Sequence, residues 1–177
     1  MRVVHQSRPS RQGHPRREAG PQSHGTPPEP AGLPAGPKAK SLTPLAAAVT
    51  VGQRYWGAAP CNGHVEVLAA QPLPGGLGPA TDAWVTFDSA LGKNNLAASP
   101  SSYTNCTISF AASGAWPTAA SMRADWNMFC TTMTHELGHL LGNAHDATRG
   151  SVMAPVFNDR SSVTSLCRSS RPGRNQR

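Results

Sequence analysis

Apolar residues change their spacing several times along this chain, and each change marks an element. Leu45–Trp56 carries apolar positions at helical intervals and predicts a first amphipathic helix. In Cys61–Ala69, Val65 and Val67 alternate with His64 and Glu66, a period of two that predicts a strand. Ala83–Phe87 is a second strand, and Cys106–Ala111, alternating Ile108 and Phe110 with Thr107 and Ser109, a third. Between them, the Pro- and Gly-rich stretch 71–80 and the Asn-, Ser- and Gly-rich stretch 88–104 read as loops, and Pro117–Ser121 as a break. From Trp126 onward the apolar residues are Phe129, Cys130, Met133, Leu137, Leu140 and Leu141. That is one face of a helix from about Asp125 to Leu141, ended by Gly142. Strands followed by a long helix point to an α+β domain.

Composition sets the limits of that domain. Of the 177 residues, positions 1–40 hold eight of the 17 prolines and no aromatic side chain. Such a segment buries too little apolar surface to offset its ordering entropy, so 1–40 reads as a disordered basic arm. Residues 168–177 read as a basic tail, leaving 41–167 as the folded domain. The net charge of +7 suggests a polyanion binder. Residues 41–167, however, hold five basic side chains against seven acidic, so the positive charge belongs to the ends. No nucleic-acid partner is therefore expected of the core, and no run of about 18 apolar residues predicts a membrane span. Four cysteines without a C-x-x-C pair favour two disulfides over a zinc cluster, and so an exported protein. The N-terminus has no apolar h-region; Leu42–Val51 could imitate one, but the first helix is the preferred reading.

The chemistry lies on the long helix, in His135-Glu136-Leu137-Gly138-His139. Histidines at i and i+4 differ by about 40° around the axis and about 6 Å along it, so both rings face one point. Glu136 is offset by about 100°, which suits a base acting beside a metal better than a ligand. Catalytic zinc needs a third protein ligand. Gly142 permits a left-handed turn that brings His145 back to the same point.

The run HELGHLLGNAH matches H-E-x-x-H-x-x-G-x-x-H at each fixed position, with Met153 eight residues beyond His145. In this it resembles the metzincin metalloproteases, and its short step to Met153 is similar to the matrixins, in particular the small bacterial ones. Asp146 after the third histidine is a feature shared with the adamalysins. Tyr55-Trp56-Gly57, the strand Asn105–Phe110 and Cys130 extend the resemblance over about residues 45–167. It implies a zincin-like fold in which a small twisted sheet packs on a first helix and a central zinc helix, with a minimal C-terminal subdomain. It also implies a secreted zinc endopeptidase of the extracellular space, monomeric and acting on protein or peptide. His135, His139 and His145 would hold one Zn²⁺, Glu136 would act as general base, and Met153 would floor the site. Substrate would pair with an edge strand, expected to be Cys106–Ala111.

Other features add little. His64 on its strand reads as solvent-facing or structural, and His5, His14 and His24 lie in the arm. The arm has no cysteine to match the matrixin cysteine switch; it could be a pro-segment or a misplaced start. Calcium has no motif, although Asp82 and Asp88 could contribute to a site. Asn105-Cys106-Thr107 satisfies the glycosylation sequon only formally. Of three possible disulfide pairings we favour Cys61–Cys106 and Cys130–Cys167. Only residues 154–177 follow Met153, where Val163–Cys167 supplies at most a turn. An inactive zinc-binding relative is therefore the main alternative, and a polyanion binder the other.

Overall fold

A computed structural model of the chain describes residues 43–155 and 162–172. The arm at 1–40, the end of the tail and the stretch 156–161 lie outside the described residues. The elements follow in the order α1 (Pro44–Trp56), β1 (Val65–Gln71), β2 (Ala83–Asp88), β3 (Thr104–Ala111), α2 (Ala119–Ala124), α3 (Trp126–Leu140) and α4 (Ser165–Ser169).

Helix α1 is specified at both ends. Thr43 Oγ1 accepts from the Ala46 N–H, Pro44 opens the helix where its missing N–H costs nothing, and Gly57 closes it at φ +64°. Ala48 and Val51 are buried, and Gly52 lets the helix approach α3 closely. A Cβ on Gly52 would lie 2.5 Å from Leu137 Cδ1. Leu45–Val51 is thus part of the packed domain. No described helix is long and apolar enough to cross a membrane.

The three strands form one sheet in the order β1-β3-β2. β1 runs parallel to β3, with Val65 beside Cys106 and Val67 beside Ile108. β2 runs antiparallel to it, with Val85 beside Ile108 and Thr86 beside Thr107. Cys106, Ile108 and Phe110 are all buried, as expected of a strand flanked on both sides. This corrects the expected docking strand. β3 is the centre of the sheet, and among the described residues the open edges belong to β1 and β2. Alternation shows which face of a strand is buried, but not how many neighbours the strand has.

Helix α3 runs almost where its apolar period placed it, yet it is buried far beyond one face. Thr131, Thr134, His135 and Glu136 are buried along with Phe129, Cys130, Met133, Leu137 and Leu140. Thr131 and Thr134 satisfy their hydroxyls by donating back to Asn127 O and Cys130 O at 2.8 and 2.9 Å. Phe129 lies among Phe110, Trp116 and Trp126. Just before α3 stands α2, where the sequence reads as a break. Thr118 and Ser121 exchange side-chain bonds to each other's main-chain N–H, a capping box built with serine in place of the usual Glu or Gln.

The structure joins Cys61 to Cys106 and Cys130 to Cys167. The first fastens the turn before β1 to β3. The second fastens α3 to α4, whose start is capped by Thr164 Oγ1 accepting from Cys167 N–H. Trp126 Nε1 also donates to Cys167 O at 2.9 Å. α4 continues to Ser169, and Arg171 donates to Arg123 O, so ordered chain extends past the expected boundary at 167.

Because 37 residues separate Cys130 from Cys167, chain entropy assigns that bond about 4 kcal/mol. The Cys130→Ser, Cys167→Ser double variant should lose about 2–4 kcal/mol in urea unfolding. A loss below about 1 kcal/mol would mean that packing alone holds α4 on α3.

Candidate metal centre

The site begins where α3 stops. Leu141 leaves the helix and Gly142 takes φ +85°, a conformation that side chains other than glycine rarely adopt. Gly142 N–H then donates to His139 O at 2.9 Å, and Asn143 N–H to Gly138 O at 3.0 Å. These are the two bonds of a Schellman cap, and they turn the chain back so that His145 reaches α3. The pyrrolidine ring of Pro100 lies against Gly142, 2.6 Å from where a Cβ would stand.

The turn brings three imidazoles together. His139 Nε2 is 3.0 Å from His135 Nε2 and 3.2 Å from His145 Nε2. His135 Nδ1 lies 2.8 Å from Val152 O, and His139 Nδ1 2.9 Å from Asn143 O. A carbonyl oxygen can only accept, so both Nδ1 atoms carry the proton and donate it. Each Nε2 is then a lone pair, and the lone pairs converge. Burial pushes all three histidines below their usual pKa, His135 to about 4, which favours the neutral ring. Three neutral nitrogens this close are unfavourable unless a cation joins them. Tetrahedral zinc, with bonds of about 2.0–2.1 Å, sets its nitrogen ligands about 3.3 Å apart. The donor set and its spacing therefore fit one zinc ion.

Glu136, next to His135 in the chain, is buried at 5 % exposure, and that burial pushes its carboxyl up to about 8. Met153 lies beneath α3. A Cβ on Gly138 would stand 2.5 Å from Met153 Sδ and 2.8 Å from Trp56 Cζ2, so only glycine allows this approach. Trp56 Nε1 donates to Thr134 O at 2.8 Å, fixing the indole under the helix. The segment around Met153 also serves the histidines. Val152 O holds the His135 ring, and Met153 O accepts from Asp146 N–H at 2.9 Å, next to His145. The Asp146 carboxylate accepts from Thr148 N–H and braces the intervening loop.

The structure thus brings together His135, His139 and His145, with Gly142 in the turn before the third, Met153 against Gly138, and Glu136 buried next to His135 in the chain. His64 is exposed and stands apart from them. Asp82 accepts from Ala115 N–H and Asp88 from Asn105 Nδ2, so the first carboxylate fastens the loop after β3 and the second ties the end of β2 to β3. Among the described residues the three histidines are the only group poised for a metal, and calcium gains no support. The roles of Val152 O and Asn143 O escape a sequence reading because any residue supplies a carbonyl. Gly138 did carry a signal: glycine inside a helix is unfavourable unless something must come close.

Comparison with protein families matches residues 59–171 to the matrixins. No curated protein and no solved structure matches the chain.

Two outcomes follow from this geometry. Gly138→Ala should cost about 1–3 kcal/mol, since Met153 and Trp56 must both give way, and should weaken zinc binding measured against a chromogenic chelator. Unchanged stability and affinity would show that Met153 moves freely. The second outcome concerns the metal-free chain. Folding raises the Glu136 pKa, so its contribution is favourable below about 4.5, the unfolded value, and is lost as pH rises through about 8. Glu136→Gln should therefore leave metal-free stability unchanged near pH 4 and increase it progressively up to pH 8. A pH-independent difference in melting temperature would refute the shift.

Proposed function

Because the chain belongs to the matrixin family, we propose that it is a zinc-dependent endopeptidase whose three histidines hold the metal and whose Glu136 is the general base. One observation carries this reading: His135 Nε2 and His145 Nε2 lie 3.0 and 3.2 Å from His139 Nε2, and the next residue in the chain after His135 is a buried carboxylate. When bound, zinc supplies Lewis acidity at the scissile carbonyl and acidifies water near neutral pH. Glu136 takes a proton from the attacking water while the water oxygen bonds to the carbonyl carbon. As the C–N bond breaks, Glu136 returns that proton to the departing amine nitrogen. Val152 O and Asn143 O keep the His135 and His139 rings in one orientation throughout. Met153 and Trp56 close the underside of α3 with apolar surface.

The substrate is an extended peptide that adds to the outer edge of β2, in place of the β3 edge first expected. β2 packs against α3, and Pro100, in the connection from β2 to β3, reaches Gly142. The catalytic domain takes in 41–167 and continues into α4. Two disulfides support an extracellular location.

Zinc-loaded protein should cleave a broad peptide library, lose that activity to a chelator and recover it with added zinc. Glu136→Gln should retain one zinc per chain and lose about 10²–10⁴-fold in kcat. One zinc per chain with no cleavage would favour an inactive relative, and absence of zinc binding would end both readings.

A further inference from the structure

The outer edge of β2 is not open along its whole length. In an antiparallel strand, alternate residues turn both main-chain groups to one side. Ala111 N–H donates to Asp82 O at 2.9 Å, so Asp82, and with it Trp84 and Thr86, face β3. Ala83, Val85 and Phe87 must then face away from it. Phe87 does so, and both its groups are already taken by one residue. Its N–H donates to Asn94 Oδ1 at 2.8 Å, and its C=O accepts from Asn94 N–H at 2.9 Å. Asn94 thus occupies the position a pairing strand would take.

This stop is held firmly. Asn94 sits at φ +52°, a conformation that asparagine tolerates better than most residues. The turn before it is braced by Ser89 Oγ donating to Gly92 O at 2.7 Å and by Gly92 N–H donating to Ser89 O at 3.0 Å. Phe87 is buried and stacks on Tyr103, which fixes the strand end that Asn94 caps. Ala83 and Val85 show no such partner on the outer side among the described residues.

We infer that Asn94 determines how long a stretch of substrate can pair with β2: two rungs are available, at Ala83 and Val85, and the third, at Phe87, is closed. The inference rests on the endopeptidase reading with β2 as the docking edge. In the favoured antiparallel sense, the N-terminal part of the peptide runs toward Phe87. Substrate recognition by main-chain pairing therefore ends on that side, and residues beyond it contribute no further pairing.

The test uses peptides that share one scissile bond and grow one residue at a time at the N-terminus. For the native protein, kcat/KM should rise until Val85 is paired and then level off. Asn94→Gly suits the positive φ and removes the acceptor of the Phe87 N–H, so that only the main-chain bond from residue 94 to Phe87 O holds the stop. Peptides two residues longer that displace this single bond should gain about 3–10-fold. Asn94→Asp keeps the oxygen acceptor and should behave like the native chain. Amide hydrogen exchange in zinc-loaded Glu136→Gln protein provides an independent readout. Without peptide, Phe87 N–H should be protected while Ala83 and Val85 exchange freely, and peptide should then protect those two. An unchanged length profile in Asn94→Gly overturns the inference and leaves Asn94 as a guard against strand pairing between molecules. Hydrolysis without protection of Ala83 and Val85 overturns it while sparing the endopeptidase reading. Protection without hydrolysis by the native chain does the opposite.

Discussion

Two hydrogen bonds from imidazole to main-chain carbonyl govern the centre of this molecule. His135 gives its Nδ1 proton to Val152 O, and His139 gives its own to Asn143 O. Those bonds leave each Nε2 as the acceptor nitrogen of its ring and fix where it points. They also explain the surrounding architecture. Asn143 O is placed by the Schellman turn at Gly142, and Val152 O by the turn at Met153, which in turn needs the gap at Gly138. α3 can carry such polar side chains because α1, the sheet and α4 surround it, and its buried threonines satisfy themselves.

Burial and metal chemistry act together here. Histidines in an apolar setting resist protonation, which keeps them available as ligands at pH values where exposed imidazole would be partly charged. Glu136 experiences the same setting with the opposite sign, since its charge is disfavoured without a cation nearby. A dication at the three histidines would therefore suit both the neutral rings and the carboxylate next to them in the chain. The framework around it is less demanding, as a three-stranded sheet with two disulfides suffices to hold one helix and one turn in register.

Much of this could be read in the sequence. The periodicity of Trp126–Leu141 located α3, the i, i+4 pair placed two histidines on one face, and Gly142 foretold the turn that returns His145. Three strands and the first helix came from equally plain patterns. What escaped was information held in neighbours. The central place of β3 depends on strands distant in sequence, and a run of alternating residues looks the same at an edge. α2 is only six residues long, and its cap uses Ser121 where a longer acidic or amide side chain is usual. The stop at Phe87 depends on a side chain seven residues away that ordinary loop composition conceals.

The bond between Cys130 and Cys167 has a consequence for how such a molecule ages. His135, Glu136, His139, His145 and Met153 all lie between those two cysteines, so the whole metal centre sits inside one covalently closed ring. A single backbone cut anywhere in that ring opens the chain without releasing a fragment. Both new ends stay tethered to α3, and the ligands keep a high effective concentration about their common point. Nicking at an exposed loop inside the ring would thereby leave the histidines on one connected molecule.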